Sequence, residues 1–97
     1  MRHDNVLFEF LSAGQVPEDS RGSVVVDGDR MVLEVECEGD RPYLIEATRR
    51  DGFHSGRHVG PPGDSSVEAR WASVGDLFVG QWIEDGDEWL FKFTLPA

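Results

Sequence analysis

The chain has 97 residues and a formal net charge of −10, from nine basic and nineteen acidic side chains. That length fits one domain with a single modest core, and 39% hydrophobic with 29% charged residues exclude a membrane protein and a disordered tail. With so few cations to displace counterions, nucleic acid is not expected as a partner.

The polar start, Met1-Arg2-His3-Asp4-Asn5, leads into a short apolar run without the long apolar stretch of a secretory signal. Cys37 is the one cysteine, which excludes an intramolecular disulfide and a zinc site built on several cysteines. A reducing, cytoplasmic setting is the expectation.

Period-two alternation runs through nearly the whole chain. Met31, Leu33, Val35 and Cys37 fall on one face of a strand, with Glu34, Glu36 and Glu38 on the other. Tight-turn signals at Asp27-Gly28-Asp29, Gly39-Asp40-Arg41-Pro42, Asp51-Gly52, Gly75-Asp76 and Asp85-Gly86 separate such stretches, because Gly and Asp tolerate positive φ. Two connections read as longer, Ser12 to Ser20 and Gly60 to Ser65. Eight strands follow, at about 5–11, 21–27, 30–38, 43–50, 53–59, 66–74, 77–84 and 87–95. Residues 66–74 have enough helix propensity for a short helix, but their alternation beside a hairpin signal favours a strand.

The registers of neighbouring hairpins can be checked against each other. A two-residue turn at Asp85-Gly86 pairs Trp82 with Trp89, Gly80 with Phe91 and Phe78 with Phe93. One at Gly75-Asp76 pairs Trp71 with Gly80 and Ala69 with Trp82. Both put Phe78, Gly80 and Trp82 on one aromatic face. The Asp51-Gly52 hairpin places His54 and His58 inward with Tyr43 and Ile45, unless a bulge at Gly56 reverses one of them.

The fold expected is all-β: a small antiparallel up-and-down barrel, round or flattened, in one domain over residues 1–97. Its inward set is Phe8, Phe10, Val24, Val26, Met31, Leu33, Val35, Cys37, Tyr43, Ile45, Val67, Ala69, Trp71, Phe78, Trp82, Trp89, Phe91 and Phe93. The stretch Leu77-Phe78-Val79-Gly80-Gln81-Trp82-Ile83-Glu84-Asp85-Gly86 resembles a strand and turn of the calycin-type meander barrels, the lipocalin-like and avidin-like proteins. A lipocalin carries its Gly-x-Trp near the chain start, whereas Gly80-Gln81-Trp82 lies near the end here, and no biotin site is matched. The resemblance therefore implies architecture and names no ligand.

Candidate chemistry is sparse. His54 and His58 on one regular strand stand roughly 13 Å apart, too far for one metal ion. Cys37 lies between two glutamates, which disfavour its thiolate, and reads as a small core residue. Asp27-Gly28-Asp29 and Asp85-Gly86-Asp87-Glu88 lack the spacing of a calcium loop. Gly60-Pro61-Pro62-Gly63 lacks the lysine and helix of a phosphate loop. No metal or cofactor is expected, and no catalytic constellation stands out.

Three functions are carried forward. The first is a non-enzymatic module that binds a small ligand at one barrel end. The second is an acidic accessory or inhibitor module that docks a basic protein, and the third is an enzyme using His54 and His58. Because turns alternate between the ends of a meander, both long connections share one end. The inward residues nearest it, Tyr43, His58, Trp82, Glu84 and Trp89, are the expected mouth of any ligand pocket. Val74, Leu77, Val79, Ile83 and Leu90 face outward, which leads to the expectation of a homodimer covering them.

Overall fold

The computed structural model describes residues 1–36, 42–59 and 66–96. Cys37, the acids Glu38 and Asp40, the turn residues Gly39 to Arg41 and the Gly60–Ser65 connection lie outside the described residues. Eight antiparallel strands run in chain order: β1 (Arg2–Leu11), β2 (Glu18–Asp27), β3 (Arg30–Val35), β4 (Tyr43–Arg50), β5 (Phe53–His58), β6 (Val67–Val74), β7 (Leu77–Glu84) and β8 (Asp87–Thr94). Each pairs with its neighbour and β8 pairs with β1, so the sheet closes into an up-and-down barrel with no helix among the described residues. Its extents of 31, 28 and 26 Å are close to equal, so the barrel is round rather than flat.

The expected registers of the β4–β5, β6–β7 and β7–β8 hairpins are present pair for pair. Trp82 faces Trp89, Gly80 faces both Phe91 and Trp71, and Ala69 faces Trp82. Residues directly opposite share a face, so two hairpins direct one set of rings inward. Trp71, Phe8, Phe91, Phe93, Leu33 and Ile45 form the fully enclosed centre. Trp71 meets Phe91 edge-on at 5.8 Å and 83°. Val6, Ala47 and Leu95 join this core beyond the residues expected there.

The starts of β1 and β2 are earlier than the sequence reading, while β3 ends at Val35, short of 38, and β5, β6 and β8 each differ by one residue at one end. The first strand starts at Arg2, because it carries a bulge: the register to β2 shifts between His3 and Val6, and Asn5 takes a left-handed φ of 58°. The extra residue keeps Arg2 and His3 paired to Val25 and Val24 while Val6, Phe8 and Phe10 face inward. The second strand starts at Glu18, so Glu18 stands opposite Phe10 instead of lying in a loop. The Ser20 hydroxyl donates to the Glu36 carbonyl at 2.7 Å, tying this early start to the far end of β3.

No bulge interrupts β5, which pairs without a break from Ile45–His58 to Arg50–Phe53. Both histidines therefore face inward. The strand bends at Gly56 instead: a Cβ there would fall 2.0 Å from the Glu46 carbonyl oxygen. Gly80 is held the same way, with a Cβ position 1.9 Å from the Arg70 carbonyl oxygen. Gly80 lies between the large rings of Trp71 and Phe91, and Gly56 between Ala47 and Ala69.

Closure between β1 and β8 uses three pairs, Glu9–Lys92, Phe10–Phe91 and Leu11–Leu90. Beyond them the seam is closed by side chains, with Phe8 against Phe93 at 5.1 Å. On the outer wall Leu11, Val79 and Leu90 are exposed, but Leu77 and Ile83 are half-buried and the Lys92–Glu9 ion pair crosses the same wall.

Candidate functional site

Strand alternation gives the barrel two ends. The turns after β2, β4 and β6 finish one end. The other gathers the 12–17 connection, the β7–β8 turn and the open strand ends Val35, Tyr43, His58 and Val67. At this second end the inward side chains leave a cavity of about 530 Å³. Concavities on the outer wall, beside Arg57 and Arg70 and beside Leu90, are smaller, at about 430 and 380 Å³.

Four aromatic residues line the end cavity: Phe10 from β1, Tyr43 from β4, Trp82 from β7 and Trp89 from β8. Trp82 is the hub. It meets Phe10 edge-on at 5.2 Å and 77°, and Tyr43 edge-on at 5.9 Å and 80°. Rings meeting at right angles make walls in several directions, where parallel stacking would cover ring against ring. Trp82 and Tyr43 are buried, whereas Trp89 is half-buried at the lip.

Four carboxylates complete the lining: Glu18 and Asp19 from β2, Glu36 just past β3, and Glu84 at the end of β7. Glu84 is half-buried, and its Oε1 accepts the Trp82 indole N–H at 3.2 Å, which fixes its direction. No basic side chain lines the cavity among the described residues. The ion pairs among the described residues, Arg2–Asp4, Arg30–Glu46 and Lys92–Glu9, lie elsewhere. No three His, Cys, Asp or Glu residues among those described are close enough to hold a metal ion.

Of the five residues named from sequence for the mouth, Tyr43, Trp82, Glu84 and Trp89 line this cavity. His58 stands behind the wall, edge-on to Tyr43 at 5.2 Å and 81°. Its Nδ1 lies 3.1 Å from the Leu44 N–H and 3.2 Å from the Leu44 carbonyl oxygen, and its Nε2 is enclosed without a partner among the described residues. His54 belongs to the opposite end, stacked on Trp71 at 5.6 Å and 11°. Burial lowers its pKa below the ordinary histidine value and Arg49 lowers it further, while Asp29 opposes them. The two histidines do not converge on one point.

Sequence reasoning missed Glu18, Asp19 and Glu36. The signal for Glu18 was present, since the alternation Val24, Gly22, Ser20 extends back to it. Glu36 reads as the next rung of an outer acidic ladder, but β3 ends at Val35 and releases Glu36 to the rim.

Fold and site together define a small closed meander barrel with an acidic, ring-lined cavity at one end. No protein-family model, curated protein or solved structure matches the chain.

Proposed function

We propose that this protein is a non-enzymatic binding module that holds a small ligand in the open end of its barrel. The observation that carries the reading is the end cavity itself. At about 530 Å³ it falls within the size range of small-molecule sites. Its rings offer an apolar body of contact, and Glu84, oriented by Trp82, offers a fixed polar group. The polar groups around it are four carboxylates with the Ser20 and Tyr43 hydroxyls, the Ser20 hydroxyl already donating to the Glu36 carbonyl, a set that suits binding better than catalysis.

The test is a thermal-shift and tryptophan-emission screen of the full chain against neutral, cationic and anionic molecules of fragment size. Hits should raise Tm and perturb emission, and Trp89→Ala should abolish both responses. A panel with no hits, or hits indifferent to Trp89→Ala, would sink the reading.

A second reading is an acidic module docking a basic protein. It is favoured by the rim, where Asp85, Asp87 and Glu88 are exposed beside the cavity acids. Such docking weakens as salt rises and needs no occupied cavity. Binding of a basic protein that survives Trp89→Ala and a saturating small ligand would favour it over the first.

A further inference from the structure

We infer that the ligand of the end cavity is an organic cation, an alkylated ammonium whose apolar groups lie against the rings. This rests on the reading of that cavity as a small-ligand site.

Charge points to the sign. Glu18, Asp19, Glu36 and Glu84 all border one concavity, and no described Lys or Arg borders it with them. None of the four takes part in an ion pair among the described residues. An anion entering here would meet like charge from several strands, on a chain whose net charge is already −10. A cation would meet a potential that concentrates it at the mouth.

Geometry points to the kind of cation. A calcium or magnesium ion needs several oxygens converging within about 2.0–2.6 Å. The cavity acids do not converge: no group of three potential ligands among the described residues could share an ion. The charge is spread around a ring-lined volume instead, and aromatic walls attract weakly hydrated cations through their faces while sheltering the attached alkyl groups. Glu84 is the expected direct partner. It is half-withdrawn from water, and Trp82 N–H occupies one side of its Oε1 while leaving other lone pairs to accept from or face a cation. Glu18, Asp19 and Glu36 are exposed and supply the outer field.

The test uses three probes of nearly one shape: choline, its neutral carbon isostere 3,3-dimethylbutan-1-ol, and the anionic 3,3-dimethylbutanoate. Calorimetric or emission titration of the full chain should give choline an advantage of about tenfold or more over the neutral isostere. Raising salt to about 0.5 M should shrink that advantage. Glu84→Gln should remove most of it with Tm unchanged, and Glu9→Gln, on the outer wall, should leave it intact. If the neutral or anionic probe binds as well as choline and Trp89→Ala still removes it, the cation inference falls and the cavity remains a ligand site. If none of the three binds, the cation inference falls, and the ligand-site reading stands or falls on the fragment panel.

Discussion

The two ends of the barrel share the same strands and differ in how those strands are finished. At the end closed by the β2–β3, β4–β5 and β6–β7 turns, Phe78 lies flat on Phe93 at 4.9 Å and 4° and His54 on Trp71 at 5.6 Å and 11°, while Trp71 meets Phe93 edge-on at 70°. Met31, Ala47 and Leu95 fill the remaining space. At the other end Trp82 meets Phe10 and Tyr43 edge-on, Phe10 lies over Phe91 at 17°, and carboxylates line the rim. The faces of Phe78 and His54 are covered by the rings they lie on, whereas concave space remains beside Trp82, which stands edge-on to Phe10 and Tyr43. Arg2, Arg30, Arg49 and Arg50 lie at the closed end among Asp4, Asp27, Asp29, Asp51 and Asp76, whereas the charged groups lining the cavity at the other end are carboxylates alone among the described residues.

The largest expected effect breaks the closed half. Trp71 is fully enclosed and touches His54, Phe91 and Phe93, so Trp71→Ala should cost about 3–5 kcal/mol, read as a fall in the urea midpoint. Gly80→Ala attacks the wall that both ends share. Its new Cβ would press on the Arg70 carbonyl and force backbone movement, for a loss of about 1–3 kcal/mol. Trp89→Ala sharpens the contrast from the open side. Its ring is half-buried at the lip, so the loss should be about 1 kcal/mol, while the ligand response disappears. Equal losses from Trp71→Ala and Trp89→Ala would show that the open end is simply a second core.

Much of this architecture is legible in the residues themselves. Tight two-residue turns fix register, and register with period-two burial fixes face, so the β4–β5, β6–β7 and β7–β8 hairpins and most of the core follow from local sequence. Where pairing depends on distant segments, that logic fails. The β1 bulge at Asn5 and the early start of β2 at Glu18 are set by closure of the barrel, and no turn in the sequence encodes them. That is why Tyr43, Trp82, Glu84 and Trp89 were readable as neighbours while the acids from β2 and the end of β3 were not. On the outer face the registers turn Val74, Leu77, Val79, Ile83 and Leu90 away from the aromatic core as expected, with Leu77 and Ile83 half-buried and Val74, Val79 and Leu90 exposed.

The smallest expected effect is a pH dependence confined to the closed end. His54 is partly withdrawn from water over Trp71 and faces Arg49 across β4–β5, and both disfavour its protonated form. Its folded pKa therefore lies below the unfolded one, despite the opposing pull of Asp29. Above the unfolded value, near 6.5, the ring is neutral in both states and costs nothing. As pH falls through that value the unfolded chain takes up the proton first, so stability declines until the folded ring also titrates, and then levels off. Carboxylates titrate lower and obscure the absolute curve, so the informative quantity is the difference between the wild type and His54→Gln. Urea midpoints measured from pH 7.5 to pH 5 should fall more steeply for the wild type, and choline affinity at the opposite end should not follow that difference. A His54→Gln slope equal to the wild-type slope would mean that the ring over Trp71 is solvated, and that the closed end is less sealed than its stacking implies.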